Sequence, residues 1–305
     1  MIHTVTNGPA ATNDVDPYWS RRTHRWEAMQ RVDPVVWGSG AGPLTNAQVA
    51  DYSAAGYHSE QELLSRLEAD ALLDEADHLA TTANVERDDI VTEVDNDVVR
   101  TIFRVHRTND RFKALCKDER LVGIVRQLLG SDVYIHQSRI NYKPALNGKE
   151  FFWHSDFETW HVEDGMPRMR AVSVSISLTA STEFNGPLMV VPGSHMNFIR
   201  CVGATPEDHF RTSLRKQQYG VPTREALEVL VDGGGIAAPK GPPGSAMFFE
   251  CNLMHGSTGN LSPYPRTNLF VVYNSVDNGV IEPFGDQPPR PEFLAEREII
   301  PIDEL

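Results

Sequence analysis

The sequence predicts a mainly β fold with flanking helices: a two-sheet jelly roll, the double-stranded β-helix architecture, behind a helical first portion. Three observations carry that prediction. Apolar residues recur at helical spacing up to Gly130, after which the period changes to the two-residue alternation of strands. The strands that follow are short and joined by Gly/Pro turns such as Asn185-Gly186-Pro187 and Pro192-Gly193, a pattern of antiparallel sheets rather than alternating parallel units. No stretch of the 305 residues reads as a linker, an internal repeat or a low-complexity tract. A single domain over 1–305 is therefore expected, with 1–130 as a mostly helical buttress, 131–305 as the core, and an insert near 196–240.

Taken in order, residues 1 to about 17 are polar and contain Gly, Asn and Pro, and are expected to be loosely ordered. Ser59 and Glu62 have capping-box spacing, and Leu63, Leu64, Leu67 and Ala71 follow on one helical face. Asp118 is placed to cap a second helix, whose Leu121, Val122, Val125, Leu128 and Leu129 face a core and which Gly130 ends. Val133 to Tyr142 and Arg170 to Leu178 then alternate as strands. In the latter, Val172, Val174, Ile176 and Leu178 share one face, and Ser173, Ser175 and Ser177 form a small polar face suited to line a cavity. Further strands are expected at Pro187 to Val191, Ser245 to Glu250 and Asn268 to Ser275. The insert has few strand signals and carries Gly233-Gly234-Gly235, so it reads as a candidate lid.

Charge and cysteine content narrow the function. Acidic residues outnumber basic ones by 42 to 28, a net charge of -14, which argues against nucleic acid or an anionic membrane as partner. Cys116, Cys201 and Cys251 are far apart and form no disulfide framework, as expected of a reducing cytoplasm. Arg21-Arg22 is not followed by the apolar run of an export signal, and no segment approaches the roughly 18 apolar residues of a membrane span.

The densest set of metal-competent and aromatic side chains lies in Phe151 to Arg170, FFWHSDFETWHVEDGMPRMR. On an extended backbone His154 and Asp156, two apart, point to the same side and can share an ion. Glu158, a further two along, is the nearest spare carboxylate. One more His would complete a two-His, one-carboxylate face, which leaves coordination positions open on Fe(II). Among the remaining histidines, His3, His24, His58, His78 and His106 fall in the tail or the helical portion; His136 precedes the motif, and His161 is too close to the first pair. His195 sits at a turn and His209 in the insert. His255 stands apart, because it follows the strand Ser245 to Glu250 and is itself followed, eleven positions on, by Arg266. A guanidinium near a metal offers a fixed fork to a carboxylate whose other end chelates the ion. A zinc hydrolase with the same three ligands, or a non-catalytic aromatic binding pocket, are the other chemistries open to these residues.

The His-x-Asp motif, the distal His, the Arg beyond it and the run NGPLMVVPGSH (Asn185 to His195) resemble the phytanoyl-CoA hydroxylase-like family of Fe(II)- and 2-oxoglutarate-dependent dioxygenases. Within it, WHSDFETWHVEDGMPRMRAVSVSISLT resembles the signature of the ectoine hydroxylases. The resemblance runs nearly continuously from Gln137 to Pro192, returns at Cys251 to Arg266, and implies a cupin-like jelly roll. It further implies that His154, Asp156 and His255 hold the iron and act in catalysis. Arg266, Ser257, Asn141 and Lys143 would bind 2-oxoglutarate, and Gln137, Trp160, Phe249 and Phe270 would receive ectoine. The aromatic faces suit the delocalised amidinium cation of that small zwitterion. Dioxygen would be the second co-substrate. Conversion of ectoine to 5-hydroxyectoine in osmotic and temperature stress, and a homodimer, are likewise implied. A related hydroxylase acting on another small amino-acid derivative is the main alternative.

Overall fold

A computed structural model gives the structure of the protein and describes residues 16–93 and 97–305. His3 and the tail up to residue 15 lie outside the described residues. The strands are β1 (Glu27–Gln30), β2 (Tyr57–Glu60), β3 (Ile90–Thr92), β4 (Val99–Phe103), β5 (Val133–Lys143), β6 (Phe151–His154), β7 (Ala171–Ser177), β8 (Leu188–Val190), β9 (Asn197–Arg200), β10 (Ala246–Glu250), β11 (His255–Ser257) and β12 (Arg266–Ser275). They form a seven-stranded sheet in the order β2-β10-β7-β12-β5-β4-β3, a three-stranded sheet β6-β11-β8 and the pair β1-β9, with antiparallel pairing. The jelly-roll expectation holds.

Helices α1 (Asn46–Ala55), α2 (Arg66–Thr81), α3 (Val105–Thr108), α4 (Asp110–Cys116) and α5 (Glu119–Leu129) precede β5, followed later by α6 (Asp156–Thr159), α7 (Phe210–Ser213) and α8 (Arg224–Gly234). Helix α5 matches the sequence reading: Asp118 caps it through Arg120 N–H, and Gly130 ends it in the left-handed region at φ 62°. Its apolar side packs, with Val172, Val174, Ile176 and Leu178, into the core on one side of the large sheet. Helix α2 corrects the reading. Its cap is Ser65 with Glu68, not Ser59 with Glu62, and the buried residues are Ala69, Leu72 and Ala76. Ser59 is instead paired with Met247 in the large sheet, and Leu67 is 82% exposed. Two successive capping-box spacings existed, and sheet pairing decided between them. The portion before residue 130 also gives β2, β3 and β4 to the large sheet, so it is more than a helical buttress. These strands are short, and β4 is buried throughout, which leaves no alternation to read.

A bulge in β5 governs what faces the pocket. Pairing with β12 runs Gln137 to Val272 but then Ile135 to Tyr273, so His136 is the extra residue. A single inserted residue exchanges the two faces of a strand. Before it, Val133 and Ile135 join the helix-side core with Tyr273. After it, Ile140 holds that side, while Gln137, Arg139, Asn141 and Lys143 turn to the opposite face. The insert is not a bare loop, since it contains β9, α7 and α8. Gly233 and Gly234 end α8, and Gly235 follows as its cap at φ 69°.

Candidate metal centre and its pocket

His154 ends β6 and His255 begins β11, and the two are direct cross-strand partners. Asp156 is not on the strand with His154, as the sequence suggested; it opens α6. Ser155 between them keeps extended dihedrals, φ -105° and ψ 131°, and that single extended residue suffices to bring the carboxylate back. Asp156 Oδ1 lies 3.6 Å from His154 Nε2 and 3.8 Å from His255 Nε2. One donor atom from each of the three falls within 4.8 Å of the others, and all three residues are buried. Glu158, being on the helix, is turned away: it accepts from Ser20 Oγ and forms an ion pair with Arg21.

The donor set is arranged for a cation. Nδ1 of His154 lies 2.8 Å from Phe152 O, and Nδ1 of His255 lies 2.9 Å from Leu253 O. A carbonyl accepts only from N–H, so each ring carries its proton on Nδ1 and presents a bare Nε2 to the centre. Burial, reinforced by His154 and opposed by Asp156, pushes the His255 imidazole down to about 4, which keeps it neutral, the ligand form. Burial works against ionisation of Asp156. The His255 and His154 imidazoles when protonated, and the Arg139 guanidinium, outweigh it and hold the carboxyl below the usual carboxylate range. Ser173 Oγ donates to the other oxygen, Asp156 Oδ2, at 3.1 Å, so the small polar face of β7 does meet the site. The residues fit a two-His, one-carboxylate metal with open positions.

A cleft with about 1110 Å³ of empty space, its mouth included, extends from these ligands and is lined by residues of both sheets. At one end stands Arg266, 4% exposed, with no hydrogen-bond partner for Nε or Nη1 among the described residues. Burial pushes its guanidinium down to about 10. A buried guanidinium without an acceptor is costly unless a ligand supplies one. Opposite it on β5, Lys143 Nζ donates to Ser257 Oγ at 2.8 Å and to Thr258 O. Burial, then repulsion by Arg266 and Arg100, brings this amine down to about 6. Asn141 also lines the cleft and accepts from Thr101 Oγ1 at 3.1 Å.

Away from Arg266 the wall carries Gln137, Trp160 and Phe270. Gln137 donates through Nε2 to Leu294 O at 2.6 Å. Trp160 begins a π-helical turn that Gly165 closes at φ 85°; a Cβ there would meet Ile281 O at 2.2 Å, so only glycine fits. Phe249 is placed differently. It is fully buried, 5.0 Å edge-on to the His255 ring, and supports a ligand rather than lining the cleft.

Sequence reasoning missed Arg139, Arg290, His209 and Gln217, all of which line the cleft. Arg139 lies 4.9 Å from the centre of the Phe270 ring and donates to Gln137 Oε1. Two-residue spacing from Gln137 and Asn141 would have placed it on their face. Arg290 is paired with Asp164 at 2.6 Å and arrives from the C-terminal segment with no pattern to announce it.

The comparisons with known proteins agree with this geometry. The profile of the phytanoyl-CoA dioxygenase (PhyH) family matches residues 52–268. An ectoine dioxygenase of Sphingopyxis alaskensis is 50% identical over 286 residues, covering 92% of this chain and 93% of its own. One from Halomonas elongata is 47% identical, with 96% and 92% covered. The crystal structure of EctD from S. alaskensis with 2-oxoglutarate and 5-hydroxyectoine superposes with a TM-score of 0.85 at 45% identity, covering 93% of this chain and 95% of that one. The same enzyme with bound Fe gives 0.84 at 44% identity, with the same coverage. With a family profile spanning most of its length, the chain belongs to the phytanoyl-CoA dioxygenase family.

Proposed function

We propose that this protein is an Fe(II)- and 2-oxoglutarate-dependent dioxygenase that hydroxylates ectoine at carbon 5. One observation carries the reading: a single cleft holds both a buried His-Asp-His donor set and a buried guanidinium whose Nε and Nη1 have no partner among the described residues. A 2-oxo dicarboxylate satisfies both at once, with its keto acid on the metal and its distal carboxylate on Arg266. A hydrolytic zinc site has no use for that second feature.

When bound, Fe(II) supplies open positions for the keto acid and dioxygen, and the oxidising power to break a C–H bond. The atoms balance as ectoine, 2-oxoglutarate and O2 giving 5-hydroxyectoine, succinate and CO2, with one oxygen atom to each organic product. The chain supplies position and dryness. Lys143, Ser257 and Asn141 line the cleft with Arg266 and would surround the co-substrate there. Arg139 faces the substrate carboxylate, while Trp160 and Phe270 offer aromatic faces to the amidinium, each worth roughly 0.5 to 2 kcal/mol when desolvated. Gln137 holds Arg139 in place and Phe249 holds the His255 ring. Relatives named ectoine dioxygenase, and a solved relative holding 2-oxoglutarate and 5-hydroxyectoine, support the choice of substrate. The same reading makes the enzyme part of osmotic and temperature stress protection. It works in the cytoplasm, where its three free, buried cysteines stay reduced, and as a homodimer. No described helix is long and apolar enough to cross a membrane.

The test is a mass-spectrometric assay of Fe(II)-loaded protein with 2-oxoglutarate and oxygen, run with ectoine beside a panel of small amino-acid derivatives. Hydroxylated ectoine formed in step with succinate is the expected result. Succinate formation driven by another compound and not by ectoine would overturn the substrate assignment.

A further inference from the structure

The insert brings His209 to the cleft wall with nothing yet assigned to it. It is 6% exposed and lines the cleft. Its Nδ1 has no hydrogen-bond partner among the described residues. Its Nε2 lies 3.9 Å from Glu163 Oε1, and its ring packs edge-on against Tyr219 at 5.0 Å. The charges around it come from separate elements: Glu158 from α6, Glu163 from the π-helical turn, Arg21 from the N-terminal segment and Arg290 from the C-terminal segment. Burial, only partly offset by Glu163, holds the imidazole below its ordinary value, so the ring is neutral. A carboxylate on the Nε2 side favours the tautomer with the proton there. Nδ1 then carries a lone pair with no donor to meet it.

Most of the charged groups that line the cleft are donors. Arg139, Arg290, Lys143 and Arg266 are donors, and Gln217 donates through Nε2 to Thr159 Oγ1 at 3.2 Å, which leaves its Oε1 as an acceptor. Gln137 Oε1 already accepts from Arg139, Asp156 belongs to the metal set, and Glu93, paired with Arg100 through Oε2 and with Oε1 unpartnered among the described residues, lies beside Lys143 at the co-substrate end. A zwitterionic substrate brings N–H donors as well as a carboxylate. We infer that His209 is a specificity-determining residue whose Nδ1 accepts a hydrogen bond from a ring N–H of the substrate's cationic end. The inference rests on ectoine being the substrate. It also gives the insert a chemical task, since binding the cation engages a residue that the insert brings to the cleft wall.

The experiment compares the Fe(II)-loaded full chain with H209A, H209N and H209K. It measures KM for ectoine, and separately 2-oxoglutarate binding from the charge-transfer absorbance of the iron complex. A lost hydrogen bond to a charged group predicts that H209A raises KM for ectoine by on the order of tenfold or more. H209N, which keeps an acceptor, stays nearer wild type. H209K, which replaces the acceptor by a cation, does worse than H209A, and 2-oxoglutarate binding is unchanged in all three. An unchanged KM in H209A would overturn the inference. So would H209K matching wild type, which would make the residue a carboxylate donor, and so would parallel loss of 2-oxoglutarate binding, which would make it structural. If wild-type protein fails to turn over ectoine, the functional reading falls and takes this with it; if wild type turns over and H209A is insensitive, this inference alone fails.

Discussion

His154 and His255 face each other across adjacent strands with ring centres 4.2 Å apart, and each donates its Nδ1–H to the carbonyl two residues before it. The same local bond, made twice, fixes both tautomers and aims both Nε2 atoms at Asp156. His154→Ala, Asp156→Ala and His255→Ala should each lower bound iron and succinate formation by on the order of a hundredfold or more, with the fold retained. Metal analysis of the purified variants beside turnover checks this. Near-native activity with native iron content in any one would remove that residue from the ligand set.

Lys143 should link 2-oxoglutarate binding to pH. Burial, with Arg266 and Arg100 nearby, holds its amine down to about 6 in the free protein, and a dianion placed beside it would raise that value. The proton is therefore taken up on binding at any pH between the free and bound values. Affinity is greatest and flat below about pH 6, then falls by up to about tenfold per pH unit above it until the bound value is reached. Calorimetry of 2-oxoglutarate binding in buffers of differing ionisation enthalpy should register this uptake. Lys143→Met should abolish both the uptake and the slope; an unchanged slope would assign the titration elsewhere.

How much of this was legible in the sequence follows from where each residue sits. His154, Asp156, His255 and Arg266 were readable because each lies at a strand end or within two residues of one, and short spacings fix their directions. The fold class was readable from the change of period after Gly130, and β7 from its unbroken alternation. The β5 bulge was not, because no residue in the strand marks His136 as the extra one. Glu158 was misjudged for a related reason: the turn from strand into α6 falls between His154 and Asp156, and residues beyond it follow helical spacing. Arg21, Arg290 and His209 reach the site region from segments more than 50 residues away in sequence from His154, and only tertiary packing brings them in.

Arg139 lines the cleft beside Phe270 and forms no ion pair with a carboxylate among the described residues. Arg139→Gln should raise KM for ectoine about ten- to a hundredfold, the worth of a charge-assisted hydrogen bond. Binding of 2-oxoglutarate should be unaffected, because Arg266 and Lys143 lie at the other end. Loss of both affinities together would contradict this division of the cleft.

Arg21 is buried between Glu158 and Glu163, adjoining the helix that opens with Asp156. Removing the cation leaves two buried carboxylates facing one another, at a cost of about 3 to 5 kcal/mol. Arg21→Met should therefore lower the thermal midpoint by several degrees and loosen iron binding. Replacing Glu158 by Gln in the same background should recover part of the loss, as thermal unfolding with and without metal would reveal.

The most direct test of the central claim is ectoine turnover under ¹⁸O2 with Fe(II) and unlabelled 2-oxoglutarate, followed by mass spectrometry of both products. The account predicts one heavy oxygen in the new hydroxyl of 5-hydroxyectoine, one in succinate, and equal amounts of the two compounds. Hydroxylated product without succinate, or no hydroxylated ectoine from iron-loaded protein, would contradict it.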